Sequence, residues 1–255
     1  MVTAYRLTKL RRRNETAWGI HLSFLCPEVI EFCGLLGFDW VFLDAEHTPL
    51  NPYLCRELVC AADTVGLACL VRVARIDTAI IESYLDAGVL GVLAANVSSA
   101  VDAEALVSAV KFSPQGKRGA AAKTRAANYG LTCSPADYYR QANEMTFTVA
   151  LLESQQGIDN LEAIAAVPGL DYLAIGPNDL GLSLGRDGGM ADSVVRRLVE
   201  ETQDRIRRAG KPQVTVVVNV EQARQAVTAG ARLIAVPDTT LFAGAGRLFL
   251  QEIKN

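Results

Sequence analysis

The chain has 255 residues, half of them hydrophobic, a formal net charge of -3 and a slightly positive mean hydropathy. That is enough apolar material for one large α/β domain or two small ones. The acidic balance gives no basic field for nucleic acid, and no apolar run reaches the ~18 residues that a membrane span needs, so neither of those classes fits.

The stretch Tyr5-Arg6-Leu7-Thr8-Lys9-Leu10 is amphipathic and leads into a basic run, Lys9 to Arg13. It reads as an N-terminal helix with a solvated charged face. A charged helix rather than a short basic leader precedes the first apolar run, so no secretory signal is expected. Six cysteines, at 26, 33, 55, 60, 69 and 133, show no metal-type spacing and sit in apolar segments such as Ala68-Cys69-Leu70. Free thiols in such settings act as small hydrophobes and point to a reducing cytoplasm.

From there the chain alternates short β-rich runs with longer stretches of helical period, the pattern of a parallel sheet with crossover helices. Strands are expected near residues 18–22, 40–44, 68–72, 91–95, 147–152, 172–175, 213–218 and 233–236. Helices start at Pro27 and after Asn51-Pro52, and stop at Gly37 and before Gly66. Asp86-Ala87-Gly88 and Thr228-Ala229-Gly230 are similar stops, each just before a strand. Eight such units in a chain of this length predict an α/β fold, a (β/α)8 TIM barrel with an N-terminal helix, as one domain over residues 1–255. A doubly wound sheet would show a Gly-rich first turn, and Ser23-Phe24-Leu25-Cys26-Pro27 has no glycine. One connection is long: more than thirty residues separate Phe112 from Phe147. Loops of that length tend to be functional, but its position along the barrel axis is open.

In a barrel the carboxyl ends of the strands share one face, where catalytic groups collect. Those ends supply Asp44, Glu46 and His47 after the second strand, Arg72 at the third, Glu153 after the fifth and Asp179 after the sixth. Glu153 and Asp179 would leave neighbouring strands only ~5 Å apart. Two carboxylates that close repel unless a cation lies between them or one is protonated. Oxygen donors without Cys or His suit a hard divalent ion, Mg²⁺ or Mn²⁺. The bland alternative is that each acid merely caps the helix after it. Arg72 can hold a carboxylate or a developing oxyanion, or simply pair with Asp44. His47 offers proton transfer near neutral pH. His21, in the first strand, reads as structural.

These residues resemble a known family, the metal-dependent pyruvate aldolases of the HpcH/HpaI type, with the 2-keto-3-deoxy-sugar-acid aldolases. The matching motifs are Gly37-Phe38-Asp39-Trp40 through Asp44-Ala45-Glu46-His47-Thr48-Pro49, Val71-Arg72, Leu85-Asp86-Ala87-Gly88, Arg118-Gly119, Arg125 to Gly130, Glu153, Ile175-Gly176-Pro177-Asn178-Asp179-Leu180 and Val236-Pro237-Asp238. The resemblance implies a phosphoenolpyruvate/pyruvate-type barrel that reversibly cleaves a 4-hydroxy-2-oxo acid to pyruvate and an aldehyde. It implies Glu153 and Asp179 as ligands of Mg²⁺ or Mn²⁺, with Co²⁺ a further candidate, and Asn178 and Asp179 amides on the substrate carboxylate. It assigns enolate stabilisation to Arg72, the base to His47, support of that base to Asp86 and contact with the distal end of the substrate to Arg125. Asp44 and Glu46 back these groups without touching the metal. It also implies a homohexamer whose last helix packs on a neighbour.

Three departures touch the pocket: Leu151 stands where the family has Gln, the fourth strand ends Ala94-Ala95-Asn96 instead of in Val-Pro, and Ala120-Ala121-Ala122-Lys123 replaces a glycine-containing stretch. The competing readings are an enolate-forming decarboxylase, a CoA-ester lyase, and a barrel that only binds a 2-oxo acid.

Overall fold

Eight parallel strands close into a barrel in strict sequence order. The computed structural model describes residues 6–254. The strands are β1 (Ala17–Leu22), β2 (Trp40–Asp44), β3 (Ala68–Val73), β4 (Gly91–Ala94), β5 (Phe147–Leu152), β6 (Tyr172–Ile175), β7 (Gln213–Val216) and β8 (Ala231–Pro237). Each expected strand forms, with ends shifted by at most two residues. Around them lie α1 (Arg6–Arg12), α2 (Pro27–Leu36), α3 (Pro52–Thr64), α4 (Thr78–Ala87), α5 (Ala100–Val110), α6 (Pro135–Met145), α7 (Gln155–Asp159), α8 (Leu161–Ala165), α9 (Pro177–Ser183), α10 (Ser193–Arg208), α11 (Val220–Thr228) and α12 (Asp238–Lys254).

Strand alternation divides the core in two. Trp40, Phe42, Leu70, Phe147, Val149, Leu151 and Tyr172 fill the lumen. Val41, Leu43, Cys69, Val71, Ala150 and Leu152 face outward onto the helices. Because successive side chains point to opposite faces, the same parity carries Asp44, Arg72 and Glu153 to the lumen side at the carboxyl ends. Asp44 and Arg72 are direct register partners across β2 and β3. The caps follow their sequence signals: Gly37 and Gly88 end α2 and α4 in the left-handed region at φ 98° and 113°, and the Asn51 side chain accepts the Leu54 amide at 2.9 Å.

The floor of the barrel differs from expectation. Helix α1 does not present a merely solvated basic face: Leu7 is buried within the lumen cluster. Arg11 lies 4.3 Å over the Phe147 ring and donates to the Met145 carbonyl at 3.0 Å and the Tyr172 hydroxyl at 3.2 Å. Aromatic faces and an open carbonyl at the foot of β5 and β6 give a guanidinium better partners than water alone. Tyr5, counted above with this helix, lies outside the described residues.

The long connection also holds more structure than its sequence suggested. It contains α6, capped by Ser134 accepting the Asp137 amide at 3.2 Å with Pro135 in the first turn. Because it follows the foot of α5, it folds over the amino-terminal rim and not over the mouth. Lys111 is buried there, donating to the carbonyls of Asn143 and Thr146 at 2.8 and 2.7 Å.

Helix α12 does not pack as an ordinary eighth barrel helix. Only Asp238 of its residues is buried, while Leu241, Phe242, Leu248, Phe249, Leu250 and Ile253 are exposed. The slot where such a helix would lie is an apolar groove lined by Trp18, Phe38, Val217, Val220 and Val227. Among the described residues no helix is long and apolar enough to cross a membrane.

Large lumen side chains fit because small ones oppose them. A Cβ at Gly91 would overlap the Phe147 ring, and one at Gly19 would overlap the Trp40 indole. Gly91→Ala is expected to lower stability by about 1–3 kcal/mol through overpacking, read by denaturant unfolding, and Gly91→Ala with Phe147→Leu to recover part of it.

Candidate active site

Asp44 ends β2 almost fully buried, at 3 % exposure, and organises the mouth. Its two oxygens take Arg72 side-on, Oδ1 from Nε at 2.9 Å and Oδ2 from Nη2 at 2.5 Å. Oδ1 also accepts the Glu46 and His47 amides at 3.0 and 3.3 Å, and the Thr48 hydroxyl donates back to the Asp44 carbonyl. The turn from Asp44 to Thr48 is therefore folded around one carboxylate, the local bonding that Asp favours at turns. Burial works against its charge, but the nearby His21 imidazole, the hydrogen bonds and charge of Arg72 and the Glu46 amide hold the carboxyl well below the usual range. Arg72 is likewise disfavoured by burial, and Asp44, Glu46 and Glu153 more than offset this, raising its pKa.

The turn presents two further groups. Glu46 Oε2 sits 3.2 Å from Arg72 Nε and 3.6 Å from His47 Nε2, bridging cation and imidazole. The His47 side chain is 62 % exposed, open to a molecule entering the mouth.

Glu153 follows β5 at 4 % exposure, beyond Leu151 on the lumen side. Its Oε1 accepts the amide of Asn96 at 2.7 Å, and Asn96 reaches it by adopting φ 56° after β4. Burial pushes the Glu153 carboxyl up to about 7; the Asn96 amide opposes this, Glu46 and Asp179 add to it, and Arg72 again opposes it. Gly176, just past β6, leaves room beside Glu153, since a Cβ there would stand 2.7 Å from Oε2. Asp179 and Asn178 lie exposed in the first turn of α9, whose amides have no acceptor within the helix. Among the described residues no group of three or more His, Cys, Asp or Glu side chains is arranged to hold a metal ion. The protein thus offers two carboxylates that follow adjacent strands, one of them raised chiefly by burial, with Glu46 acting on it as a further negative charge. That donor set suits a hard dication that completes its coordination with water and substrate oxygens.

The chain does not bring every expected residue to this mouth. Asp86 and Arg125 are the exceptions. Asp86 ends α4 at the opposite rim and accepts Arg118 Nη2 at 2.7 Å, so within one chain it does not act on His47. Arg125 is held beside it, donating to the Ala87 carbonyl at 3.1 Å and pairing with Asp63. Asp86 is placed there by the end of α4 and Arg125 by the fold of the long connection. Conversely, His21 belongs to the mouth: its Nε2 is 3.8 Å from Asp44 Oδ2, and its ring stacks on Phe42 with centroids 4.6 Å apart. The parity of Ala17, Gly19 and His21 along β1 was the signal, while the flanking apolar residues masked it.

Comparison with known proteins shows the family to which the chain belongs. The sequence model of the HpcH/HpaI aldolase/citrate lyase family matches residues 18–243. A hydroxypyruvate/pyruvate aldolase of Pseudomonas aeruginosa is 35% identical over 239 residues, 92% of this chain and 88% of that protein. A 5-keto-4-deoxy-D-glucarate aldolase of Escherichia coli O6:H1 is 34% identical over 229 residues, 89% of this chain and 88% of that protein. Among solved structures, an HpcH/HpaI aldolase/citrate lyase family protein from Burkholderia cenocepacia J2315 superposes with a TM-score of 0.90 at 30% identity, covering 99% of this chain and all of that one. A barrel mouth built on Asp44, Arg72 and Glu153, and a match along nearly the whole chain, make this protein a member of the HpcH/HpaI aldolase/citrate lyase family.

Proposed function

We propose that this chain is a carbon–carbon lyase that reversibly cleaves a 4-hydroxy-2-oxo acid to pyruvate and an aldehyde with the help of a divalent metal ion. The observation that carries the reading is one barrel mouth holding a buried acid, Glu153, beside a clamped guanidinium and an open imidazole. The chain's six lysines offer no competing imine route. Lys111 and Lys211 donate to carbonyls at the lower rim, and Lys9, Lys117, Lys123 and Lys254 lie in α1, the long connection and α12.

Glu153 and Asp179 would hold Mg²⁺ or Mn²⁺, with Co²⁺ behind them; such an ion supplies Lewis-acid polarisation of the substrate's 2-oxo group. The first-turn amides of Asn178 and Asp179 receive the substrate carboxylate. Arg72, held side-on by Asp44 in the substrate-free chain, faces the oxygen on which negative charge grows as the bond between C3 and C4 breaks. His47 takes the proton of the C4 hydroxyl, which lets the aldehyde leave, and Glu46 steadies the imidazolium so formed. Leu151 leaves this part of the lumen apolar, so selectivity among aldehydes rests on shape more than on hydrogen bonds.

The same reading makes the protein a homo-oligomer, a hexamer by family likeness. The exposed apolar residues of α12 then fill the groove beside Trp18 in a second copy, and Asp86 and Arg125 act where the lower rim of one subunit meets the mouth of another. It also puts the protein in the cytoplasm; fewer than six free thiols in freshly lysed, denatured protein would contradict this.

Glu153→Gln is expected to cut kcat by about 10³-fold or more with the fold intact, chelation to abolish wild-type cleavage, and borohydride to trap nothing; activity that survives chelation and is trapped by borohydride would sink the assignment. Because Glu153 is raised to about 7 in the folded chain, the folded form keeps a proton that the unfolded form has released from about pH 4.5 upward, and stability falls as pH rises across that window. A divalent ion displaces that proton, so added Mg²⁺ should raise Tm more at about pH 8 than at about pH 6, and an equal gain at both would count against Glu153 as ligand. Phe242→Asp with Phe249→Asp should shift the native mass by light scattering to smaller species with unchanged circular dichroism. A wild-type chain that runs as a 27.4 kDa monomer would end the assembly proposal.

A further inference from the structure

His21 has no place in the cleavage just described, yet it stands in the mouth. Its neighbours define what it can do. From β2, Phe42 stacks on its ring at an interplanar angle of 29°, and Asp44 Oδ2 lies 3.8 Å from Nε2. From β3, Arg72 occupies the same Oδ2 at 2.5 Å and lies 5.8 Å over the same Phe42 ring. From β8, Pro237 is its register partner and brings no charge; the adjacent Asp238 is turned to the amides of Ser23 and Phe24 at 2.9 Å. Among the described residues Asp44 is the only carboxylate within 4.0 Å of His21. An imidazole is thus held just beyond hydrogen-bond distance of the oxygen to which the guanidinium is most tightly bound.

That geometry matters once a substrate arrives. A 2-oxo acid brings its own negative charge, and the guanidinium that receives it is also the counter-ion of Asp44. To the extent that Arg72 turns to the substrate, a buried carboxylate loses its partner, which is strongly unfavourable unless another cation replaces it. We propose that His21 is this replacement: it takes up a proton from solvent on Nε2 when substrate draws Arg72, and the imidazolium closes on Asp44 Oδ2. Asp44 then keeps the turn that carries Glu46 and His47 in place while Arg72 serves the reacting oxygen. His21 is a positioning residue, acting through Asp44 and not on the substrate. The inference rests on the reading that Arg72 engages a 2-oxo acid.

The composition of the chain makes the test clean, because His21 and His47 are its only histidines. Tag-free protein labelled with ¹⁵N-histidine shows two imidazole spin systems, and His47→Gln assigns them. With Mg²⁺ at near-neutral pH, adding pyruvate should move the His21 nitrogens toward imidazolium values, and binding heats in buffers of different ionisation enthalpy should show net proton uptake. In His21→Phe, which keeps the stack on Phe42 but takes no proton, that uptake should disappear and pyruvate should bind about tenfold more weakly, within the usual range for coupled sites, with kcat changed much less. If pyruvate binds and His47 responds while His21 keeps its free-state shifts, or if His21→Phe binds pyruvate as wild type does, the inference fails alone. If pyruvate shows no saturable binding with Mg²⁺, the proposed function fails with it.

Discussion

The carboxylate of Asp44 is the constraint on which the rest of the mouth depends. It is buried, it carries charge, and it meets two kinds of donor at once: the guanidinium of Arg72 and the amides of Glu46 and His47. One side chain therefore sets both the direction of the cation and the course of the turn that presents the imidazole. A surface ion pair would be worth little for this purpose, because water would screen it and both long side chains would keep their freedom. Here the side-on geometry and the burial orient Arg72 in the substrate-free chain, and the Thr48 hydroxyl closes the turn from the other side.

Around that pair the charges are unevenly shared, and the imbalance is informative. Asp44, Glu46 and Glu153 act on a single arginine, and Glu153, pushed up first by burial and then by Glu46 and Asp179, holds a proton up to about neutral pH. Pre-paid electrostatic strain of this sort is frequent at sites that bind a cation or a reacting anion and rare where stability alone is served. The supports differ in stiffness. Arg72 stands on a barrel strand and Glu153 directly follows one, while Asp179 stands exposed on a seven-residue helix. In the proposed cleavage the rigid pieces would orient the chemistry and the exposed one would admit the ligand.

Much of this was legible in the sequence because strand parity and strand order are simple constraints. Apolar runs such as Trp40-Val41-Phe42-Leu43 gave the strands, and the residues that followed them gave the face on which Asp44, Arg72 and Glu153 meet. What escaped was set by packing across distant segments. Arg11 reads as a solvent-facing charge until Phe147, Tyr172 and the Met145 carbonyl are seen beneath it. Asp86 carries a family motif, yet its place at the end of α4, just before a strand, already puts it at the lower rim, whereas the position of Arg125 follows from how the long connection folds, and spacing does not encode that. His21 was hidden among apolar neighbours, and Asn96 contributes only its backbone. The exposed apolar face of α12 was written in its residues, although only the three-dimensional arrangement shows that its own barrel leaves it uncovered.

The proposed cleavage depends on enolisation of a 2-oxo acid between Glu153 and Arg72. The most direct measurement is loss of the pyruvate methyl proton signal in deuterated buffer, followed by NMR with the enzyme, without any aldehyde present. Exchange that requires added Mg²⁺ or Mn²⁺, stops with chelator and vanishes in Glu153→Gln is the predicted result. A methyl group that never exchanges under those conditions, or one that exchanges equally well in chelator and in the variant, would contradict it.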